Sequence, residues 1–359
     1  MNAININGKV IGPGHPIYVI AELAWGHEGR LEDGIQIFRG AKQAGVDAIG
    51  VHITDMHEYM VKGYRCLDGQ TLSKKQAQDS PPAIFQHLEK INTSKEDWEK
   101  LFTFARENGL HICAMCNDVA SFNFIRKFSP EMYAISAASF TEPDFVRLIA
   151  AERMPTVLRI GGATLGEIER VLNIFRQEGN EDAILLHGIQ MYPTEIEDLN
   201  LGMLPSLRNI FGCHVGLADH IDAGDALALI LPLLAIPLGA VIIEKHITDD
   251  RSKKREDYEA ALGVKEFGDF VKLIRQTEKA LGSGDRRPLS EAELKYRRVV
   301  RKKVVAARFI AMGHIISSQD ITCKRADHGG DPTLMFLYLG RKARIPINAD
   351  EGVDLDMLE

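Results

Sequence analysis

The sequence predicts an α/β protein in which a (β/α)8 TIM barrel is followed by a small β-rich domain. Short apolar runs alternate with segments of helical periodicity over most of the chain, which is typical of a parallel sheet whose strands are connected by helices. Eight strands close a TIM barrel. The predicted strands are residues 17–24, 48–53, 111–116, 133–138, 156–160, 183–189, 215–220 and 240–247. A doubly wound open sheet is the alternative, but no glycine fingerprint follows any of these runs.

Helices are predicted between the strands, where apolar residues recur at a spacing of three to four. They cover residues 31–44, 95–108, 142–152, 165–177, 224–234 and 264–281. The insertion at 60–82 is longer than an ordinary loop, so we expect a lid or a substrate contact there. A glycine-rich segment, 282–288, ends the helical pattern, and short β-rich pieces follow. The predicted domains are a catalytic barrel (1–282), a linker (283–298) and a small domain (299–359).

Composition limits the classes of function. The formal net charge of −7 gives no electrostatic footprint for nucleic acid. No apolar run reaches the ~18 residues that a membrane-spanning helix needs, so we expect no membrane partner. Five cysteines in 359 residues are typical of a reducing compartment, and we expect a cytoplasmic protein. Cys113 and Cys116 have the spacing of a redox or zinc pair, but residues three apart in a strand face opposite sides.

Two predicted strands end near a histidine. The run 215–220 ends on His220, and the run 240–247 contains His246 near its end. In a parallel barrel both imidazoles would lie at the carboxyl-terminal rim, where TIM barrels keep their active sites. Neutral imidazole is the commonest protein ligand of divalent metals. The pair therefore indicates a metal site, and the alternative is that both histidines only hydrogen-bond their neighbours.

Several short motifs occur along the chain in a fixed order. They are AELAWGHEG (21–29), HGIQMYPT (187–194), GLADH (216–220), EKHIT (244–248) and, near the end, Arg308, Gly313, Asp320, Ile321, Lys324 and Arg325. Together these motifs resemble the sialic acid synthase family, whose members have a TIM barrel followed by an antifreeze-like SAF domain. The resemblance covers essentially the whole chain from Ile17.

The resemblance implies an enzyme that condenses phosphoenolpyruvate with an open-chain N-acetylated amino sugar in nonulosonate biosynthesis. A divalent metal, Mn or Mg, polarises the sugar aldehyde in such enzymes, and the resemblance assigns His220 and His246 as its ligands. It assigns contacts with the sugar to Glu22, Gln190, Tyr192 and Asp257. It also implies a domain-swapped homodimer, in which Arg325 of the SAF domain reaches the active site of the other subunit.

The sequence departs from the family where phosphoenolpyruvate would bind. Gly50 and Ala134 stand at two lysine positions, and Ala218 stands at a serine position. Each lost ammonium group removes charge-assisted hydrogen bonds worth roughly 1.5–3 kcal/mol. Arg159 and His52 are candidates to compensate, since a guanidinium suits a carboxylate or a phosphate. The sequence therefore argues against phosphoenolpyruvate as the donor. An apolar pocket is expected, lined by Gly50, Met115, Ala134, Ala137 and Ala218.

Three functions stay open. The first is a nonulosonate-type synthase with a rebuilt donor site. The second is a phosphoenolpyruvate-independent aldolase, isomerase or epimerase that uses the same metal, with Glu22 or His52 as the catalytic residue that transfers a proton. The third is a catalytically inactive sugar-binding protein, against which the retained histidine pair argues.

Overall fold

The computed structural model describes residues 1–63, 84–285 and 287–359, which form two compact units, 1–283 and 284–359. The predicted insertion at 60–82 lies for the most part outside the described residues. Within the described ranges, no helix combines the length and the hydropathy that a membrane span requires.

The first unit is a closed barrel, which confirms the predicted fold. It begins with an antiparallel hairpin of β1 (Ile4–Ile6) and β2 (Lys9–Ile11). The parallel barrel strands in the described part of the chain are β3 (Tyr18–Glu22), β4 (Ala48–Ile53), β5 (His111–Cys116), β6 (Met132–Ser136), β7 (Thr156–Arg159), β8 (Ala183–His187), β9 (His214–Asp219) and β10 (Ala240–Thr248). The last strand pairs back with the first, so that His246 lies beside Glu22. A short strand, β11 (Leu262–Gly263), pairs with the end of β10.

Side chains along the barrel strands alternate between two apolar clusters. Ile20, Met115 and Ala134 belong to the cluster inside the barrel, which also includes apolar residues of the β1–β2 hairpin. The larger cluster lies between the strands and the surrounding helices. Cys113 belongs to the inner cluster and Cys116 to the outer one, which confirms that the two thiols face opposite sides of β5.

Helices cover the outside of the barrel. They are α1 (Leu31–Ala44), α2 (Met56–Tyr59), α3 (Ile84–Ile91), α4 (Lys95–Glu107), α5 (Val119–Ile125), α6 (Pro143–Ala150), α7 (Leu165–Gln177), α8 (Met203–Phe211) and α9 (Val264–Leu281). Local signals set their ends: Thr164 and Glu167 form a capping box at the start of α7. The predicted helix 224–234 is wrong. That segment forms turns and a short 3-10 helix, Leu231–Ala235, because Pro232 has no N–H to donate to a preceding carbonyl.

The second unit has a core of its own. It contains α10 (Glu291–Val300) and an antiparallel pair, β12 (Lys302–Ala306) and β13 (Ile321–Arg325). Val304, Tyr338 and Ile347 are among its buried apolar residues. Most of α10 lies in the stretch predicted as a linker, where Ser290 and Glu293 form a capping box that starts the helix.

Candidate active site at the barrel rim

Three rings meet at the carboxyl-terminal rim of the barrel. His220 directly follows β9, His246 lies in β10, and Tyr192 lies in the loop after β8. The ring centroids of the two histidines are 5.3 Å apart, and Tyr192 lies 4.6 Å from His220 and 5.3 Å from His246. The structure thus brings together the two histidines that the sequence singled out. We call these three residues the His–Tyr cluster.

Both histidines of the cluster are neutral. Burial lowers the pKa of His220 to about 4 and that of His246 well below its ordinary value. Nδ1 of His220 lies 2.7 Å from the carbonyl oxygen of Ile189, so this nitrogen carries the hydrogen and donates it. The Nε2 atom of His220 is then an unprotonated nitrogen, which is the form that binds a metal.

The donor set fits a divalent metal with open coordination positions. Among the described residues no group of three or more His, Cys, Asp and Glu side chains is arranged to hold an ion. The Oδ2 atom of Asp257 lies 3.9 Å from Nδ1 of His246. His220 and His246 could therefore supply two ligands, while substrate and water would supply the others.

Tyr192 and Gln190 are hydrogen-bonded to each other. The hydroxyl of Tyr192 donates to Oε1 of Gln190 over 2.7 Å. Burial raises the pKa of Tyr192 well above its ordinary value, so its hydroxyl stays protonated. The pair offers hydrogen-bond donors beside the histidines, as a sugar site requires.

A buried ionic cluster lies below the rim. Nη2 of Arg159 donates to Oε2 of Glu22 and, over 2.8 Å, to Oε2 of Glu244. Nη1 of Arg159 donates over 2.8 Å to Nε2 of His52. The residues Glu22 and Glu244 are each 1% exposed, and Arg159 is 6% exposed. We call Arg159, Glu22, Glu244 and His52 the Arg159 cluster.

Burial and Arg159 act in opposite directions on the two carboxyl groups. Burial alone would raise the pKa of Glu22, but the charge of Arg159 and the hydrogen bond from the backbone N–H of Ala24 hold it below its ordinary value. At Glu244 burial raises the pKa, and the neighbouring Glu22 charge adds to that rise. Burial lowers the pKa of His52 to about 4, so this imidazole is neutral and accepts the hydrogen bond from Arg159. The cluster therefore carries no net positive charge.

Glu244 was missed by the sequence analysis, although the signal was present. It stands two residues before His246 on β10, and residues two apart in a strand face the same side. The motif that drew attention to His246 therefore also placed a carboxylate inside the barrel.

The side chains expected to line an apolar pocket divide between the two apolar clusters: Ala137 packs against the outer cluster, between the strands and the helices, and so does not line the barrel interior. Met115, Ala134 and Ala218 belong to the inner apolar cluster of the barrel. Gly50 pairs with Glu22 in the sheet, and a Cβ atom on Gly50 would lie 2.2 Å from Oε2 of Glu22. A side chain at position 50 is thus incompatible with the present position of the Glu22 carboxylate.

The loop after β10 brings Asp257 to the site. Asp257 has a left-handed backbone conformation, with φ of 59°. The preceding Arg255 is 3% exposed and forms ion pairs with Asp33 at the start of α1 and with Asp249, over 2.5 Å in the second case. Arg255 thereby anchors the loop to the barrel. Arg325 lies in the second unit, exposed at the end of β13.

The barrel and the polar site at its carboxyl-terminal rim define a TIM-barrel enzyme. The model of the NeuB family matches residues 37–286, and that of the SAF domain matches residues 301–359. The chain therefore belongs to the NeuB family of sialic and nonulosonic acid synthases, as the motifs predicted. It is a nonulosonic acid synthase-like enzyme of sugar-acid biosynthesis.

Relatives with known products differ in the sugar acid for which they are named. The chain is 32% identical over 336 residues to a pseudaminic acid synthase of Campylobacter jejuni, with 91% of this chain and 92% of the relative covered. It is 28% identical over 359 residues to an N,N'-diacetyllegionaminic acid synthase of Legionella pneumophila, with 98% and 96% covered. A solved N-acetylneuraminic acid synthetase of Leptospira borgpetersenii is similar with a TM-score of 0.71 and 25% identity, covering 82% of this chain and 96% of that one.

Proposed function

We propose that the protein makes or breaks a carbon–carbon bond at the aldehyde of an open-chain amino sugar, with a divalent metal, Mn or Mg, held by His220 and His246. The observation that carries the proposal is the His–Tyr cluster, in which two neutral imidazoles and a protonated tyrosine share the rim. A dication bound there would stabilise the alkoxide that develops from the aldehyde oxygen.

The chain's own residues are suited to hold and orient the sugar. Because Tyr192 donates to Oε1 of Gln190, the amide group of Gln190 is oriented with its nitrogen as a donor for a sugar hydroxyl. Asp257, close to His246, is the carboxylate that we propose accepts hydrogen bonds from further hydroxyl groups. The carbonyl of Ile189 fixes the ring of His220 before substrate arrives.

We propose that phosphoenolpyruvate is not the donor. Gly50 and Ala134 offer no ammonium group, and the guanidinium of Arg159 already lies against two carboxylates. Glu22 and His52, which the sequence put forward as catalytic residues, both accept hydrogen bonds from Arg159. We therefore propose that these two residues hold the site in place rather than exchange protons with the sugar. A phosphoenolpyruvate-independent aldol reaction is the chemistry that this arrangement supports best.

The metal part of the proposal is tested by calorimetric titration with Mn²⁺. His220→Ala and His246→Ala are each expected to weaken Mn²⁺ binding by roughly tenfold or more, because each removes one of two protein ligands. His111→Ala is the matched control: it removes an imidazole that contacts Tyr18 at the opposite end of the barrel, and Mn²⁺ binding should not change. Unchanged Mn²⁺ affinity in the His220 variant would contradict a metal site here.

The donor part is tested by product analysis. With Mn²⁺, N-acetylmannosamine and phosphoenolpyruvate, we expect no release of phosphate. Incubation with a nonulosonic acid and Mn²⁺ should instead release pyruvate and the open-chain sugar. Rapid, metal-dependent phosphate release would show that the donor is phosphoenolpyruvate after all. An isomerised or epimerised sugar without pyruvate would point to the isomerase alternative, and sugar binding without any turnover would point to a sugar-binding protein.

The homodimer is likewise a proposal that comes from the family resemblance, with Arg325 as the residue that completes the active site of the other subunit. Light scattering at micromolar concentration should give twice the chain mass of 39.9 kDa. Mixing two inactive variants, His220→Ala and Arg325→Ala, should restore part of the activity. A monomeric mass, or no complementation, would contradict the proposal.

A further inference from the structure

The Arg159 cluster lies directly below the His–Tyr cluster. Glu244 is two residues before His246 on the inward face of β10, and Glu22 pairs with His246 across the β3–β10 ladder. Arg159 reaches these two carboxylates from β7, on another side of the barrel. The layer of the barrel interior directly below the rim therefore contains a cation and its two acidic partners, beside the inner apolar cluster.

The charge balance of this region opposes an anionic ligand. One guanidinium contacts two carboxylates, and both of its terminal nitrogens already donate hydrogen bonds, Nη1 to His52 and Nη2 to Glu22 and Glu244. A phosphate that approaches these two terminal nitrogens would have to displace a carboxylate or His52, and a displaced carboxylate would then be buried without a cation. Nη1 also donates to the thioether sulfur of Met115, and Nε is buried and has no hydrogen-bond partner among the described residues.

Gly50 and Arg159 depend on each other. The carboxylate of Glu22 extends over the α-carbon of Gly50 to reach Arg159, and a Cβ atom at position 50 would lie 2.2 Å from it. A lysine or any other side chain at position 50 would therefore push Glu22 away from Arg159. The contact between Glu22 and Arg159 therefore requires a glycine at position 50.

We propose that Arg159 is a specificity-determining positioning residue, an internal cation that holds Glu22 and Glu244 and so closes the inner half of the barrel to phosphorylated substrates. The inference rests on the proposed function, since it names the class of molecule that can accompany the sugar. That class is a molecule without a phosphate group. If neutral amides replaced the two carboxylates, the terminal nitrogens of Arg159 would be free to donate to a phosphate.

The test measures binding of inorganic phosphate and of phosphoenolpyruvate by calorimetry, without metal, sugar or turnover. The wild-type protein and Arg159→Met are expected to give no binding heat. The double variant Glu22→Gln/Glu244→Gln should bind both anions, at least roughly tenfold more tightly than the weakest affinity that the wild-type titration could detect, because a charge-assisted hydrogen bond becomes available. Adding Arg159→Met to the double variant should remove the gain, which distinguishes Arg159 from a nonspecific charge effect.

Two outcomes would overturn the inference. The first is wild-type binding of either anion that Arg159→Met abolishes, since Arg159 would then be a working anion ligand. The second is a folded double variant that gains no anion binding. Fluorescence of Trp25 and Trp98, the two tryptophans of the chain, reports whether the barrel is folded. If the double variant unfolds, the single variant Glu244→Gln should show a smaller gain in anion binding. No gain in anion binding by that variant would also count against the inference. A failed Mn²⁺ titration would affect the proposed function and leave these results unchanged.

Discussion

Replacing Arg159 by methionine should destabilise the barrel, and the loss should grow with pH. Methionine fills much of the space of the arginine and suits a neighbourhood that already contains Met115, so packing changes little while the charge is lost. Glu22 and Glu244, each 1% exposed, would remain inside the barrel without their cation. Removal of one partner from a buried ion pair costs about 3–5 kcal/mol, and we expect a loss of that size at about pH 8.

The pH dependence follows from the direction of each pKa shift. In the wild type Arg159 holds the pKa of Glu22 below its ordinary value, so this group contributes stability above its unfolded pKa and loses it as the pH falls. Without Arg159, burial and the neighbouring Glu244 would raise the pKa of Glu22 above its ordinary value. A carboxyl group of that kind contributes stability below its unfolded pKa and loses it as the pH rises. The difference between wild type and variant should therefore be smaller at about pH 5 than at about pH 8.

Urea unfolding followed by tryptophan fluorescence measures this difference for the barrel, because both tryptophans lie in the first unit. The control is Arg159→Met combined with Glu22→Gln and Glu244→Gln, which removes the two stranded charges and should recover most of the lost stability. A loss of less than about 1 kcal/mol at about pH 8, or an equal loss at both pH values, would refute the view that Arg159 neutralises these carboxylates.

Two further substitutions test the scaffold around the site. Lys245 and Asp219 are both fully buried and paired with each other, so Lys245→Met should cost about 3–5 kcal/mol of unfolding free energy. Adding Asp219→Leu should restore most of that loss. If urea unfolding shows no recovery in the double variant, the two residues do not act as a charge pair. Arg255→Met should release the loop that carries Asp257 from the barrel. Calorimetry should then show roughly tenfold weaker binding of N-acetylmannosamine and unchanged Mn²⁺ affinity. A loss of both sugar binding and Mn²⁺ binding would show a wider structural effect instead.

The fold and part of the site could be predicted from the sequence because their signals are local. Apolar runs of strand length, alternating with helical periodicity, required only neighbouring residues to be compared, and they gave the eight strands. His220 and His246 stood at the ends of two such runs, so the barrel fold alone implied that they meet at one rim. In the segment 224–234 the apolar pattern predicted a helix, but a proline inside the apolar run is incompatible with a continuous helix.

Only the tertiary structure decided whether the charge of Arg159 is paired or available to a ligand. Its partners Glu22 and Glu244 lie 137 and 85 residues away in sequence, and closure of the barrel between β10 and β3 brings them together. From the sequence, Arg159 was a free cation available to an anion. In the barrel it is already neutralised, because burial of a charge requires an opposite charge nearby, and the fold supplies that charge from distant strands. The sequence therefore determined which residues line the barrel, and the closed sheet determined which of them are left to meet a substrate.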